Sequence, residues 1–372
     1  GPQAPGPIVP DQHIWCYPSS ETETGEIVCG ITRDPGSQVV FNPETGQTRV
    51  LSETPPVKNQ MGTPPSRDIQ ARFRLDANYS VNGEEKSSQY QPRVATDICG
   101  LNKGTDGKIY GSTIISMHIF NFDPATRQLA DLGRVGWGGG EVYDVIGYND
   151  KVYMGSYGNG YWAVYDPQKP WNPQPEAEGI SPTANPRNFG QLGLDMNRPF
   201  EYAIGPDEKI YIACRANYRI PGGGMARFDP TSEDIHVFRD EEQSVQSIAA
   251  DRRFVYGGTS IRGGRGCIET TTEARLFMFS PTEGKRVFEC IPQWGAITIG
   301  NLACSPVTGL VYGSTDTGHL FAFCPQQRRV VQRWEMNDAG TPLMGIPEAH
   351  GIIHLTCGRD GDIYGVPRRE VF

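Results

Sequence analysis

KIYGSTIISMHIFNFDP (Lys108–Pro124) and KVYMGSYGNGYWAVYDP (Lys151–Pro167) state one structural phrase twice. Each opens on Lys, runs through an aliphatic–aromatic stretch to Gly, crosses a polar loop, and ends on aromatic–Asp–Pro. Such runs, bounded by Gly, Asp and Pro, read as two antiparallel strands joined by a loop. The first half recurs as EIVCG (Glu26–Gly30), KIYIA (Lys209–Ala213), FVYG (Phe254–Gly257), LVYG (Leu310–Gly313) and DIYG (Asp362–Gly365). The second half recurs as FNP (Phe41–Pro43), FDP (Phe228–Pro230), FSP (Phe279–Pro281) and FCP (Phe323–Pro325).

The closing positions Gly30, Gly111, Gly155, Ala213, Gly257, Gly313 and Gly365 are 81, 44, 58, 44, 56 and 52 residues apart. A period of about 40–50 residues is that of propeller blades. The expected fold is therefore all-β, a seven-bladed β-propeller in a single domain over residues 1–372. The one wide gap holds an insertion, about residues 54–91, polar and rich in Pro, between blades one and two. The last blade stops after its third strand, so its outer strand is expected from the N-terminus, around Ile8–Tyr17. That closure removes an open sheet edge.

Bulk composition is consistent with this. The 45 Gly and 30 Pro suit many short strands joined by many turns. A net charge of −9 argues against a nucleic-acid partner, which calls for a basic face. No apolar run approaches the roughly 18 residues of a membrane span, so no membrane partner is expected. Nine Cys without a Cys-x-x-Cys pair argue against a structural zinc site.

In a propeller, the loop between strands two and three of each blade shares a face with the crossover to the next blade. Turns between strands one and two are tight here and leave little room, so this loop face is the expected site. Five residues before the Asp of each aromatic–Asp–Pro, or its stand-in, lie Ser37, His118, Tyr161, Gly224, Arg275 and His319. A purely structural position would hold similar residues from blade to blade, and this one does not. Nearby loops add Arg33, Arg215, Tyr218, Arg219, Arg262 and Arg265, giving a locally cationic face on an acidic protein. Arg forks donate paired hydrogen bonds to carboxylates. First-strand beginnings contribute Glu141, Glu201, Gln246, Asn301 and His350 around the channel mouth, whereas His236 and His354 read as strand residues. No Gly-rich loop ends in Gly-Lys-Ser/Thr, which argues against a nucleotide pocket.

Tyr and His beside several Arg suit proton abstraction next to a carboxylate, as in β-elimination from a uronic acid. Arg or protonated His neutralises the carboxylate, and Tyr or neutral His takes the proton. An acid pair, Glu141 with Glu201, leaves glycoside hydrolysis as the alternative.

The phrase Gly104–Pro124, followed by Lys151–Pro167, resembles the seven-bladed propeller polysaccharide lyases, ulvan lyases and rhamnose–glucuronate lyases among them. The resemblance implies His118 and Tyr161 as acid–base residues and an Arg that neutralises the glucuronate, Arg187 first in order and Arg215 next. Arg33, Arg215, Tyr218, Arg219, Arg262, His319 and His350 are the expected substrate-binding residues. One departure stands out: the family has a second His upstream of the first, where this chain reads Asp97-Ile98-Cys99. The implied partner is an acidic polysaccharide or oligosaccharide. No cofactor is required for this chemistry, a structural Ca2+ is left open, and a secreted or periplasmic monomer is expected. The alternatives are a hydrolase releasing rhamnose from glucuronate and a non-catalytic glycan- or protein-binding propeller.

Overall fold

The structure, a computed structural model, describes residues 16–21, 27–31, 37–42, 45, 47–53, 78–81, 84–87, 98–113, 117–135, 141–173, 183–336 and 354–366. Sheet one runs through Cys16–Glu21 (β1), Ile27–Ile31 (β2), Ser37–Asn42 (β3) and Gln47–Glu53 (β4). A separate hairpin, Asn78–Val81 (β5) and Glu84–Ser87 (β6), lies within the expected insertion. Sheet two holds Ile98–Lys103 (β7), Ile109–Thr113 (β8), His118–Asp123 (β9) and Gln128–Arg134 (β10). Sheet three holds Val142–Tyr148 (β11), Lys151–Ser156 (β12), Tyr161–Tyr165 (β13) and Arg187–Gln191 (β14).

Sheet four holds Arg198–Ile204 (β15), Ile210–Arg215 (β16), Gly223–Phe228 (β17) and Ile235–Asp240 (β18). Sheet five holds Ser244–Ala250 (β19), Val255–Ser260 (β20), Leu276–Ser280 (β21) and Lys285–Cys290 (β22). Sheet six holds Ile299–Cys304 (β23), Val311–Thr315 (β24), His319–Cys324 (β25) and Arg329–Glu335 (β26), and the pair His354–Cys357 (β27) and Ile363–Val366 (β28) follows. Each four-stranded sheet is antiparallel with its strands in chain order. First strands pack on first strands, β1 on β7 and onward through β11, β15, β19 and β23 to β27, which touches β1. This is the arrangement of a β-propeller.

The repeated phrase explains its own folding. In the turn before the second strand, an Asp accepts the hydroxyl of the Tyr that follows. The pairs are Tyr110–Asp106 at 2.8 Å, Tyr211–Asp207 at 3.0 Å, Tyr256–Asp251 at 2.7 Å and Tyr364–Asp360 at 2.6 Å. The opening Lys reaches the Asp of aromatic–Asp–Pro across the strand pair, Lys209–Asp229 at 2.7 Å and Lys151–Asp166 at 3.0 Å. That Asp also accepts the amides of the next turn, as Asp229 does from Thr231 and Ser232. The Gly closing the second strand lies under a ring of the third. A Cβ at Gly111, Gly257 or Gly313 would come within 2.3, 2.0 or 2.2 Å of Phe120, Phe277 or Phe321.

Middle strands are buried on both faces, as the all-buried β8, β16, β20 and β21 are, so they read as unbroken apolar runs. The core accordingly lies between sheets. Val152, Met154 and Tyr165 of sheet three meet Tyr110 and Ile119 of sheet two. Trp162 meets Tyr202, Ile210 and Phe228 of sheet four, and Tyr256 and Met278 of sheet five meet Phe321 and Phe323 of sheet six. Fully burying each such ring contributes roughly 1.5–3 kcal/mol.

Every described first strand from sheet two to sheet six carries a β-bulge near its start, at Val142/Asp144, Pro199/Glu201, Val245/Ser247 and Ile299/Asn301, with a wider shift at Ile98/Leu101. The extra residue re-aims the strand. Past each bulge, a side chain bonds the next sheet. Glu201 accepts the amide of Ile248 at 2.8 Å, Asn301 accepts that of Leu355 at 2.7 Å, and the Ser247 hydroxyl donates to the Ile299 carbonyl at 2.9 Å. One expectation needs revision. Cys16 and Tyr17 pair with Ile31 and Gly30 inside sheet one, so they belong to its innermost strand and not to an outer edge. Residues 8–15 lie outside the described residues.

Candidate functional site

The loop face does gather arginine and tyrosine, at the junction of sheets three, four and five. Arg198, at the start of β15, lies over the Tyr157 ring at 5.1 Å and the Tyr218 ring at 5.9 Å. The Tyr157 hydroxyl donates to the Tyr218 hydroxyl at 3.1 Å, and Arg198 Nη2 is 3.5 Å from the same oxygen. Beside them, Arg215 is buried to 7% exposure with its guanidinium 5.4 Å from the centre of the Phe200 ring and 3.3 Å from Gln246 Oε1. Tyr143 meets Phe200 edge-on at 5.1 Å, and its hydroxyl is 3.4 Å from Glu141 Oε2.

Two asparagines set the loop that carries Tyr218. The Asn217 side chain donates to Asn159 Oδ1 at 2.7 Å and its backbone amide to the Leu194 carbonyl at 2.8 Å, which ties the sheet-four loop to sheet three. Tyr218 itself remains 46% exposed, so its hydroxyl is within reach of a ligand.

The electrostatics separate the two phenols. Tyr218 is held below the ordinary tyrosine range, first by the hydrogen bond from Tyr157, against some burial, and then by the charges of Arg198 and Arg265. Tyr157 is raised, by burial and by its donation to Tyr218. Burial opposes the Arg198 charge, but Tyr143, Tyr218, Glu141 and Tyr157 outweigh that and keep it firmly protonated. One phenol is thus shifted toward its ionised form and the other toward its neutral form, and a cation lies against both.

Below this rim, Asp144 and Glu201 occupy equivalent positions past their bulges. Burial pushes Asp144 up to about 8, against the Val145 and Tyr202 amides that favour its charged form. Glu201 is raised as well, by burial first, with the Asp144 charge adding to it. The folded Asp144 carboxyl therefore holds its proton far above the point where an unfolded one, near ~4, has lost it. Folded protein binds more protons across that window, so this contribution to stability falls as pH rises from about 4 to about 8. Asp144→Asn is expected to flatten that slope in urea midpoints taken at about pH 5 and about pH 8. An unchanged slope would remove Asp144 as its cause.

The expected residues are dispersed across this frame. His118 is buried, its Nδ1 2.9 Å from Asp131 Oδ1, and it shares a face of β9 with Phe120 and Phe122. Tyr161 packs with Ala163 and Tyr165 on the side of sheet three turned to sheet two. Sheet two therefore stands between the His118 and Tyr161 side chains. Arg187 pairs with Val164 on the outer strand, away from Tyr161, and its guanidinium is bound to Glu233 and stacked 4.5 Å over Phe189. His319 lies on sheet six with Nδ1 3.1 Å from Thr317 Oγ1. Arg262 is 4.0 Å from Glu269, and Arg219 lies exposed on the loop of Tyr218. Arg33 and His350 lie outside the described residues.

Glu141 and Glu201 are not equivalent either. Across the bulge Glu141 corresponds to Arg198 at the rim, while both Glu201 oxygens are engaged, by the Ile248 amide and by Asn301 Nδ2 at 2.7 Å. The pair needed for hydrolysis is not assembled by these two residues. Tyr143, Tyr157, Arg198 and Phe200 were the residues that sequence reasoning missed. Among the described residues, no group of three His, Cys, Asp or Glu side chains gathers as metal ligands. No described helix is long and apolar enough to cross a membrane.

Neither a family profile nor a curated protein matches the sequence. Solved structures do match in shape. One is a structure of streptogramin B lyase, with a TM-score of 0.62 at 8% identity over 99% of this chain and 95% of that one. Another is the extracellular domain of a protein named as a one component system, BT4673, of B. thetaiotaomicron. It has a TM-score of 0.56 at 13% identity over 98% of this chain and 39% of that one. The fold is a β-propeller. At these identities the likeness speaks for the fold alone.

Proposed function

We propose that this chain cleaves an acidic glycan by β-elimination next to a glucuronate, at the Tyr157–Arg198–Tyr218 cluster. The observation that carries the reading is a lowered phenol accepting a hydrogen bond from a second phenol, with Arg198 against both and Arg215 beside them. Arg198 and Arg215 neutralise the uronate carboxylate, which makes the adjacent C5 proton acidic. Tyr218 takes that proton, the C4–O bond breaks as the C4=C5 double bond forms, and Tyr157 protonates the leaving oxygen. We further take the scaffold as a single seven-bladed domain, 1–372, with the 54–91 insertion and closed by the N-terminal segment. Substrate of this kind places the protein outside the cell or in the periplasm, as a monomer that requires no cofactor.

The direct test is ultraviolet absorbance of the unsaturated uronate during incubation with rhamnose–glucuronate and related glycans. A rise supports elimination. Free rhamnose or new reducing ends without absorbance would replace it with hydrolysis, and neither product would leave a binding propeller.

Arg198→Met should shift titration of the Tyr218 phenol, followed by its phenolate absorbance, to higher pH. The sign follows from removing a cation that stabilises the phenolate. No shift would detach Arg198 from Tyr218.

A second assignment is favoured by one contact, the His118 imidazole oriented by Asp131 at 2.9 Å. An oriented imidazole is suited to proton transfer, and His118 would carry it without the Tyr161 and Arg187 side chains, which face elsewhere. Loss of turnover in His118→Ala, with Tyr218→Phe still active, would transfer the reaction to His118.

A further inference from the structure

Three arginines on the loop face are matched to acidic groups: Arg239 to Asp195, Arg262 to Glu269 and Arg275 to Glu242 and Glu289. Arg219 and Arg265 are different. Among the described residues, neither has a carboxylate partner, and both are exposed.

They are nevertheless brought side by side, by two loops that are laced together. Arg219 donates its backbone amide to the Arg265 carbonyl at 3.1 Å, and the Gly264 amide donates to the Ile220 carbonyl at 2.8 Å. A Cβ on Gly264 would lie 1.7 Å from the Asn217 carbonyl oxygen, so only Gly lets the loops approach this closely. The Arg219 side chain runs along the second loop, its Cγ within 3.8 Å of where a Cβ on Gly266 would stand. Arg219 also holds φ of 63°, a left-handed conformation uncommon for a residue with a side chain. Two like charges are thus carried on facing, laced loops next to Tyr218, with no carboxylate paired to either among the described residues. Such an arrangement is relieved by an anion, which two guanidinium forks can hold through charge-assisted hydrogen bonds.

We propose that Arg219 and Arg265 form a second anion subsite, so that the ligand is a chain bearing anionic groups on at least two of its sugars. This rests on reading the neighbouring Tyr218 cluster as a uronate site. It makes the protein a reader of polymeric or oligomeric polyanions in preference to a single uronate at a chain end.

The test compares two probes by titration calorimetry: a rhamnose–glucuronate disaccharide and the tetrasaccharide with two glucuronates. The intact protein should bind the tetrasaccharide roughly tenfold to a hundredfold more tightly. The double variant Arg219→Gln, Arg265→Gln should lose that preference, its tetrasaccharide affinity falling far more than its disaccharide affinity. Equal affinities for both probes in the intact protein, or equal weakening of both in the double variant, would overturn the subsite. Circular dichroism of the double variant checks that its fold is kept, and Arg265→Lys, which keeps the charge but not the fork, should retain part of the preference. Ultraviolet product formation separates this result from the reaction. A tetrasaccharide preference without unsaturated product keeps the subsite and removes elimination; product from both probes without preference does the reverse.

Discussion

Tyr218→Phe is expected to lower kcat on a glucuronate-containing glycan by roughly a hundredfold to ten-thousandfold, the usual range for removing a general base. The substitution deletes one oxygen and leaves the ring. The Asn217 contacts with Asn159 and Leu194 that hold its loop are not made by that oxygen. Arg198 and Arg215 stay in place, so KM should change little, since their contacts to the carboxylate are made before and during proton transfer alike. Tyr157→Phe should cost less than Tyr218→Phe and should also raise the pH at which activity appears, because Tyr218 loses its principal hydrogen-bond donor. Initial rates from unsaturated-uronate absorbance, across pH, measure both. A Tyr218→Phe protein with intact circular dichroism and undiminished rate would dismiss this tyrosine as the base.

Gly257→Ala is expected to destabilise the protein by about 1–3 kcal/mol, the range for adding a methyl group to a filled core. The new Cβ would stand 2.0 Å from Phe277 Cζ, and Phe277 is fully buried between sheets four and five. The ring has nowhere to retreat, because Tyr211, Val245 and Phe279 close around it. A smaller residue at position 277 should remove the clash. Gly257→Ala combined with Phe277→Leu is therefore expected to be more stable than the sum of the two single changes. Urea unfolding of the four proteins reads this coupling directly, and strict additivity would show that the two positions do not press on each other.

These two predictions come from parts of the chain that differ in how plainly they could be read. Gly257 belongs to the repeated phrase, whose interactions are local. Tyr256 reaches Asp251 within its own turn, Lys209 reaches Asp229 across one strand pair, and the Gly–Phe contact is a direct cross-strand neighbour. A period visible in the sequence carries such contacts with it. Counting back from aromatic–Asp–Pro therefore landed on Ser37, His118, Tyr161 and His319, which open β3, β9, β13 and β25. It missed by one at Gly224 and Arg275, where the strands open at Gly223 and Leu276.

The site was less legible. Tyr157, Arg198 and Tyr218 come from three segments that meet only through the packing of sheets three and four. Tyr218 and Arg215 could be suspected from their loop, but nothing in a single sequence pairs Arg198 with either. First-strand register was the second obstacle. Register aligns Glu201 with Asp144, three residues beyond Glu141, so the two glutamates lie in different layers. Arg187 illustrates a third difficulty. Order along the chain put it next after Tyr161, yet it belongs to an outer strand, where Glu233 from the adjoining sheet claims it.

The first-strand bulges also decide what this scaffold can tolerate. In the first strands of sheets three to six the extra residue, Tyr143, Phe200, Gln246 or Gly300, falls at the rim, and the residue after it, Asp144, Glu201, Ser247 or Asn301, falls in the layer that fastens one sheet to the next. Recognition and assembly are thereby assigned to adjacent letters of the sequence that look in different directions. Exchanging the first letter between sheets rewrites what the mouth of the ring touches while the fastening below it is left alone. A library confined to those four positions would explore ligand choice on a scaffold whose cohesion is decided one residue further on.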